Sequence, residues 1–465
     1  MERIRAIVSN SGFLLQITGL FLILPIAIGF LNAEFQPVES LTATCFLCFA
    51  LGFVFNSFCE RKELDEKTSL WLMLITWIIL PAVLMIPYAW NNVFGTGNLF
   101  DLLTNAYFET VSGFSTTGFT FIANAESSLP VSLFFYRSLV EFIGGIGFVY
   151  LIVAFLYPSH RLDSFAEAYG FDRLGRNLKR VFLSVMLVYT FFVFVFTAVF
   201  YLVYSPDLVV ASCAAIDILT GGYAPSVTGG IGIFQVSIVV LMLLGSLNFS
   251  FHYNLFHFKP LSALTREVKL YVVIIVVTTV MVSILAWLNP FDSLFHVLSM
   301  MSSTGVDYIG VATQPVGAKI LFIIVGLIGG CAFSMAGGVR IQRIRLLIDG
   351  LRKKGDKPDR EELKAVVYYI VGFLVLLLVL SLVFSTIGIS FIDSVFEVGS
   401  ALTTNGISMG ITTLEIPLGY KWLLILAMIF GRIEIIVLFR VVSWTNIFGK
   451  AKGSAKGLKA RALKE

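Results

Sequence analysis

The chain has 465 residues, of which 57% are hydrophobic and only 13% are charged. Soluble globular domains typically contain about 45–50% apolar and about 25% charged residues. So few charges could not cover a soluble body of this size, which excludes a cytosolic protein with a small anchor. A single-pass receptor is also excluded, because apolar residues run along almost the whole chain. The composition therefore predicts an all-α, polytopic membrane domain.

Long apolar runs predict ten membrane crossings, since a helix needs roughly 20 apolar residues to span a bilayer. The runs lie at about 11–32, 38–58, 69–90, 130–157, 180–204, 230–256, 268–288, 316–346, 363–388 and 418–447. The first run lacks a small-residue cleavage site and is long enough to span. We therefore interpret it as a retained helix and not as a signal peptide.

The net charge is only +4, and the position of the basic residues indicates the orientation of the chain. In a ten-helix arrangement nearly all lysines and arginines fall on one side, including a cluster at 340–364 and a tail at 448–465. By the positive-inside rule this side is the cytoplasm, which places both termini there. The other side is acidic, with Lys319 and Lys421 as exceptions. An acidic outer mouth would concentrate cations, although topology alone also removes bases from that side.

Four shorter, half-apolar segments lie between crossings and resemble one another. They are too short to span the membrane and too apolar for exposed loops, so we predict that they are re-entrant. Segment A (108–119) reads FETVSGFSTTGF, segment B (211–223) reads ASCAAIDILTGGY, segment C (295–306) reads FHVLSMMSSTGV and segment D (396–407) reads FEVGSALTTNGI. Segments A, C and D align without gaps. Segment B is more divergent, and we align its Thr220 with Thr116 of segment A.

Each segment lies between two full crossings, so successive copies enter from the same side and are related by an axis along the membrane normal. We therefore predict two N-terminal helices followed by four pseudo-fourfold helix–pore-loop–helix repeats around a central pore. The predicted boundaries are 1–67 for the N-terminal helices, 68–175 for repeat A, 176–262 for repeat B, 263–358 for repeat C with a broken last helix, 359–447 for repeat D and 448–465 for a basic cytoplasmic tail. The predicted filters are 115–119, 219–223, 302–306 and 403–407.

Small polar residues and glycines end each segment. Their backbone carbonyl and hydroxyl oxygens can replace the hydration shell of an alkali cation, and glycine can adopt the positive φ that such a turn needs. The predicted filter residues are Ser115, Thr116, Thr117, Gly118, Leu219, Thr220, Gly221, Gly222, Ser303, Thr304, Gly305, Thr404, Asn405 and Gly406. The predicted cation ligands among them are Thr116, Thr117, Thr220, Gly221, Ser303, Thr304, Thr404 and Asn405. A single such motif could simply pack helices, but four in register favour a filter.

Two carboxylates, Glu109 and Glu397, occupy equivalent positions before their filters, and His296 replaces them in segment C. Carboxylates within a membrane are costly and usually functional. We expect them to support the filter backbone from behind, the alternative being direct contact with the ion. Arg137 and Glu141 are four residues apart, which favours an ion pair within one helix.

A glycine-rich run interrupts the apolar stretch at 316–346, with Gly329, Gly330, Gly337 and Gly338. Four glycines disfavour a continuous helix. The run is either a kink for close packing or a flexible loop below the filter that obstructs the pore and moves on gating. Arg432 lies midway along the last predicted helix, where it either pairs with a carboxylate or faces the pore as an electrostatic barrier.

These motifs resemble those of the Trk/Ktr/HKT superfamily of potassium transporters, and the two additional N-terminal helices resemble its bacterial TrkH-type subunits. The resemblance covers essentially the whole chain. It rests on the four filter motifs, on Tyr136-Arg137 with the stretch 141–147, on the glycine-rich run, which matches the family pattern except at Phe333 and Met335, and on the stretch 431–435.

The resemblance implies several properties. Selectivity for K⁺ is implied because all four filters keep a glycine, at Gly118, Gly222, Gly305 and Gly406. A gating role is implied for the glycine-rich run, and Arg432 would face the pore below the filter. A homodimer in the bacterial cytoplasmic membrane and a cytosolic, TrkA-like nucleotide-binding regulatory subunit are also implied.

Sequence motifs for other functions are missing. No G-x-x-x-x-G-K-[ST] or strand–G-x-G-x-x-G unit is present, so we predict that the chain binds no nucleotide or other cofactor, with K⁺ as the transported ion. Nothing in the sequence predicts nucleic-acid binding, whereas the basic inner loops would bind anionic lipids. Cys45 and Cys48 form a C-x-x-C without further ligands, which favours packing over metal binding or redox chemistry.

Three functions can be compared. The first is K⁺ uptake, passive or ion-coupled, through a four-segment filter. The second is a cation-coupled secondary transporter that uses Na⁺ or H⁺ with K⁺ or another small solute, for which carboxylates in the middle of long helices are expected and few are found. The third is an intramembrane enzyme, but His252 and His257 belong to no catalytic or metal-binding cluster. We therefore predict a transport protein and no enzyme.

Overall fold

The computed structural model describes residues 2–57, 66–156, 178–227, 229–256, 264–351 and 360–433, which form helices and contain no β-strand. The first helices are α1 Glu2–Phe21, α2 Ile23–Leu31, α3 Phe35–Ser57, α4 Glu66–Leu84, α5 Ile86–Trp90, α6 Leu99–Phe114, α7 Ala125–Ser128, α8 Val131–Leu156, α9 Leu178–Val203 and α10 Leu208–Thr220. The others are α11 Ile233–Ser246, α12 Phe249–Phe256, α13 Arg266–Ala286, α14 Pro290–Ser302, α15 Val316–Ile328, α16 Ile341–Leu351, α17 Arg360–Ser385, α18 Phe391–Leu402 and α19 Leu418–Ile433. The predicted tail at 448–465 lies outside the described residues.

Within the described residues, five helical stretches are long and apolar enough to cross a membrane, or six if the bent pair α11–α12 counts as one span. Ten runs were predicted, and three of the four further ones differ from a single described span for identifiable reasons. The run at 69–90 is divided between α4 and α5, and the run at 316–346 breaks after α15. The run at 418–447 is described only as far as Ile433.

The outer faces of the long helices are apolar. Phe194 on α9 is 75% exposed, Val276 on α13 is 57% exposed and Val375 on α17 is 54% exposed. Soluble proteins rarely expose such continuous apolar surface, which suits contact with lipid chains. The prediction of an all-α, multi-pass membrane protein is confirmed.

Four short helices, α6, α10, α14 and α18, carry the polar segments. Each begins at a residue whose side chain accepts a hydrogen bond from an amide of the first turn, which stabilises a helix start. These residues are Asn98, Asp207, Asn289 and Ser390. Each helix then ends among buried residues at the start of its polar segment. The caps thus fix the residue at which each short helix begins.

Two clusters of buried apolar side chains surround the polar segments. One extends through α9–α15 and includes Phe295 of segment C. The other combines the N-terminal helices and α8 with α17–α19 and includes Phe108 of segment A. Phe396 of segment D belongs to the first cluster, although its neighbour Val398 belongs to the second. The polar segments are therefore enclosed by apolar side chains contributed from both ends of the chain.

Candidate functional site

Segment A touches segments B and D through glycines that leave no space for a side chain. A Cβ placed on Gly118 would lie 2.0 Å from the carbonyl oxygen of Gly222 in segment B. A Cβ placed on Gly406 of segment D would lie 1.9 Å from the carbonyl oxygen of Thr117. Both separations are far below the ordinary contact distance of about 3.5 Å. Glycine is therefore required at these two positions by the approach of the neighbouring backbone.

Segment C closes the ring on the other side. A Cβ on Gly221 would lie 2.4 Å from the carbonyl oxygen of Ser303 in segment C. A Cβ on Gly305 would lie 2.2 Å from the carbonyl oxygen of Asn405 in segment D. The contacts therefore run A–B, B–C, C–D and D–A, and the four segments form one closed ring.

The backbone turns in the same way after three of the short helices. Thr116, Ser303 and Thr404 adopt φ values of 56°, 60° and 52°, in the left-handed region that residues other than glycine seldom occupy. Two residues further on, each chain reaches a glycine that also has positive φ. The gap-free alignment of segments A, C and D predicted from the sequence agrees with this backbone.

Segment B departs from the predicted register by one residue. Its helix continues through Thr220, and the first left-handed residue is Gly221 with φ 75°. Gly221, and not Thr220, therefore takes the place of Thr116, so the alignment of Thr220 with Thr116 was wrong. The consecutive glycines allow the later turn because glycine adopts positive φ without steric cost.

Buried carboxylates hold the chain that follows the polar segments A and D. Glu109 accepts hydrogen bonds from the Phe121 amide at 3.2 Å and the Thr120 hydroxyl at 2.8 Å. Glu397 accepts from the Met409 amide at 2.7 Å and from three donors of Ser408 and Thr412. Each carboxylate therefore holds the backbone that follows its own segment.

Segment B is held by a carboxylate from the neighbouring helix α8. Glu141 accepts hydrogen bonds from the Tyr223 amide at 2.9 Å and the Thr220 hydroxyl at 2.5 Å. Arg137 pairs with Glu109, whose Oε1 lies 3.1 Å from its Nε, and its guanidinium lies 3.2 Å from the centre of the Tyr223 ring. The expected Arg137–Glu141 pair is thus replaced by two contacts with residues distant in sequence. Spacing along one helix could not indicate either contact.

A cavity of about 770 Å³ opens on one side of the ring. Its lining includes Gly118, Gly222, Gly305 and Gly406 from the four segments. Acidic residues also line it, namely Glu126, Asp217 and Asp307, together with the base Arg137. The described residues contain no group of three or more His, Cys, Asp or Glu suited to a metal ion.

The glycine-rich run lies against the ring. The Gly337 amide donates to the Ser303 hydroxyl at 2.9 Å, and a Cβ on Gly337 would lie 2.1 Å from the Thr403 carbonyl oxygen. Arg432, which is buried, donates from Nη1 to the Met335 carbonyl at 2.9 Å. The predicted gate residues are therefore brought together, with Arg432 on the backbone of the run.

The run is also held from the side of α11 and α13. The Cys331 amide donates to the Ser246 carbonyl at 3.0 Å, and the Ala332 amide donates to Glu267 at 2.7 Å. Gly329 and Gly338 both have positive φ and pack against each other. The run is thus an ordered loop that breaks the helix after Ile328.

Several known transport proteins are similar to this chain in sequence. No family model matches the chain. It is 24% identical to the Trk system potassium uptake protein TrkH of Salmonella typhimurium, covering 87% of this chain and 92% of that one. It is 26% identical to an uncharacterized cation transporter of Methanocaldococcus jannaschii, covering 93% and 94% of the two chains.

A solved structure has the same fold. The crystal structure of the potassium transporter TrkH from Vibrio parahaemolyticus superposes with a TM-score of 0.80, covering 94% of this chain and 98% of that one at 20% identity. Sequence similarity over nearly the whole chain and the shared fold thus lead to one conclusion. The predicted resemblance to TrkH-type potassium transporters is confirmed by these likenesses in sequence and fold.

Proposed function

We propose that the chain takes up K⁺ across a membrane and that its four segments form the selectivity filter. The closed ring of segments A–D carries this proposal. Within the described structure, Thr116 Oγ1, Thr404 Oγ1 and Asn405 Oδ1 are buried oxygens without a hydrogen-bond partner. Buried polar atoms normally have partners. Oxygens left in this state suit a cation that exchanges its hydration shell for protein ligands.

The predicted filter residues contribute to this site in different ways. Thr117 and Gly222 bring carbonyl oxygens to the contacts between segments. The Thr220 hydroxyl is engaged by Ile216 and Glu141, so Thr220 would contribute only its carbonyl. The Leu219 carbonyl lies close to Gly245 of α11, where a Cβ would be 2.5 Å away, which argues against a place for Leu219 in the filter.

We further propose that the glycine-rich run with Arg432 is the gate. The hydrogen bond from Gly337 to Ser303 joins the run to the filter, and the bond from Arg432 to Met335 adds a positive charge to it. A guanidinium below a cation filter would oppose conduction until the run moves. Gly329 and Gly338, which have positive φ, suit the two ends of a moving loop.

The wider assembly is proposed from the resemblance and from the names of the relatives, several of which are Trk system proteins. We propose a homodimer in the bacterial inner membrane, with both termini in the cytoplasm and a TrkA-like nucleotide-binding regulatory partner. The basic inner loops would contact that partner and anionic lipids.

A cation-coupled secondary transporter is the second candidate, and the positions of two carboxylates argue against it. Glu141 on α8 and Glu267 on α13 stand in long helices, where a coupling site would need an acid. Both accept hydrogen bonds from backbone amides, of Tyr223 and Ala332 respectively. They are therefore occupied in holding the filter and the loop.

The test is Rb⁺ uptake in bacterial cells that lack their own K⁺ importers. The chain should restore growth at low K⁺ and take up Rb⁺. Gly118→Ala should reduce uptake by at least about tenfold, since a barrier increase of about 1.4 kcal/mol is sufficient for that factor. Gly97→Ala is the matched control, because Gly97 has open space around it. Absence of Rb⁺ uptake by the wild type, or normal uptake by Gly118→Ala, would contradict the proposal.

A further inference from the structure

A histidine takes the anchor position in segment C, where segments A and D have glutamate. In each segment the anchor accepts a hydrogen bond from the backbone amide twelve residues further along the chain. The pairs are Glu109 with Phe121, His296 with Tyr308 and Glu397 with Met409. The imidazole of His296 therefore replaces a carboxylate in the same structural position.

The two ring nitrogens of His296 have different partners. Nδ1 lies 2.8 Å from the Asp292 carbonyl oxygen, which can only accept, so Nδ1 carries a hydrogen. Nε2 lies 3.3 Å from the Tyr308 amide nitrogen and 3.3 Å from Asp307 Oδ1. A neutral ring accepts from the Tyr308 amide, whereas a protonated ring donates to Asp307. One proton on Nε2 thus decides which partner is bound.

We propose that His296 is a proton-responsive positioning residue for segment C, and that its protonation from the outer cavity releases the Tyr308 amide and lowers K⁺ transport. This inference rests on the proposed function of the ring as a K⁺ filter. Glutamate anchors in segments A and D do not exchange partners in this way, because each offers two oxygens to its donors.

Asp307 lies between the buried imidazole of His296 and the cavity. The His296 side chain is fully buried, but the Asp307 side chain is 19% exposed and lines the outer cavity. Asp307 accepts hydrogen bonds from the amides of Ile309, Gly310 and Val311, which favour its ionised form whether or not His296 carries the Nε2 proton. Asp307 therefore stays ionised across the range between pH 5 and 8 in which histidines change charge.

The other charged groups near this helix have partners of their own. Asp292 accepts from the Tyr308 hydroxyl at 2.6 Å. On the helices packed against α14, Glu267 lies at the opposite end of α13 and accepts from Ala332, and Lys319 on α15 pairs with Asp393 at 3.0 Å. Helix α11 contains no acidic or basic residue. Asp307 is therefore the ionised group that can accept a hydrogen bond from the protonated Nε2 of His296.

The experiment measures Rb⁺ uptake at external pH values from 8 to 5.5 in cells that lack their own K⁺ importers. Wild-type uptake should fall at least about threefold across this range of external pH. His296→Gln should transport Rb⁺ with little pH dependence, because its amide oxygen keeps an acceptor for the Tyr308 amide and does not titrate. His252→Gln is the matched control and should keep the wild-type pH profile, because His252, also buried, bonds to the Leu244 carbonyl.

Asp307→Asn separates this mechanism from a general effect of acid. Removing the negative charge destabilises the protonated ring, so the midpoint of the fall in uptake should move to lower pH. A flat wild-type profile, an unchanged profile in His296→Gln, or an unshifted midpoint in Asp307→Asn would overturn the inference. If His296→Gln fails to reach the membrane, the Asp307→Asn midpoint decides alone. Absence of wild-type Rb⁺ uptake at every pH would instead overturn the proposed function.

Discussion

Segments A and D differ from segments B and C in how the same backbone is anchored. Glu109 and Glu397 come from the short helices of their own segments, whereas segment C uses His296 and segment B uses Glu141 from the neighbouring helix α8. Left-handed residues and close glycine contacts nevertheless recur in all four segments. The comparison indicates that contacts within the ring determine the backbone path of each segment. The side chain that anchors this backbone differs from one segment to another.

Removing the anchor of segment D should have the largest effect on transport. Glu397→Ala would leave the Met409 and Thr412 amides and two hydroxyls without their acceptor. Each unsatisfied buried donor costs about 1–3 kcal/mol. We expect Rb⁺ uptake to fall below detection, together with a lower Tm of the purified protein. Glu126→Ala, which removes an exposed acid that lines the cavity beside the ring, should leave uptake close to wild type.

Removing the anchor of segment B tests whether an acid from a neighbouring helix supports transport as the anchors of segments A and D do. Glu141→Ala should reduce Rb⁺ uptake by at least about tenfold, which corresponds to about 1.4 kcal/mol. In double-mutant cycles on Tm, Arg137 should couple more strongly to Glu109 than to Glu141. Stronger coupling between Arg137 and Glu141 would indicate the ion pair that their spacing predicts. That result would contradict the role of Glu141 as the anchor of segment B.

Arg432 contacts the glycine-rich run that lies against the ring, so its replacement tests the role of that run. Arg432→Ala removes the charge and the bond to the Met335 carbonyl, so Rb⁺ flux should rise by roughly threefold, or about 0.7 kcal/mol of barrier. Membrane expression measured in parallel is the control. A collapse in expression, or a loss of flux at normal expression, would indicate that Arg432 only stabilises the structure.

The smallest effect is expected at Asp393, in the first turn of the short helix of segment D, which is not one of the anchors. Hydrogen bonds from Ser390 and Lys319 hold the pKa of Asp393 below its usual value. A lowered folded-state pKa adds stability that is present above the unfolded pKa and is lost as pH falls through the folded value. Lys319→Met should therefore lower Tm by a small amount at neutral pH and less in acid, since partly exposed pairs contribute about 0–1 kcal/mol. A large loss of transport would contradict this prediction.

The sequence predicted the fold and most of the ring because both depend on local patterns. Runs of apolar residues indicate crossings, and the equal spacing of Ser299 and Ser400 from Gly305 and Gly406 indicates a common backbone. The register of segment B was missed because two adjacent glycines make either residue a possible turn. The role of Glu141 was missed because its partners, Thr220 and Tyr223, lie about 80 residues away and only packing brings them together.

The most direct test of the central claim is ion selectivity of the purified protein in liposomes, since the claim is that a closed ring of four segments selects K⁺. Rb⁺ uptake should be inhibited by K⁺ but only weakly by Na⁺ at the same concentration. Gly406→Ala should abolish the flux, because a Cβ there would meet the Thr117 carbonyl oxygen. Equal inhibition by Na⁺ and K⁺ in the wild type, or a selective flux that survives in Gly406→Ala, would contradict the account.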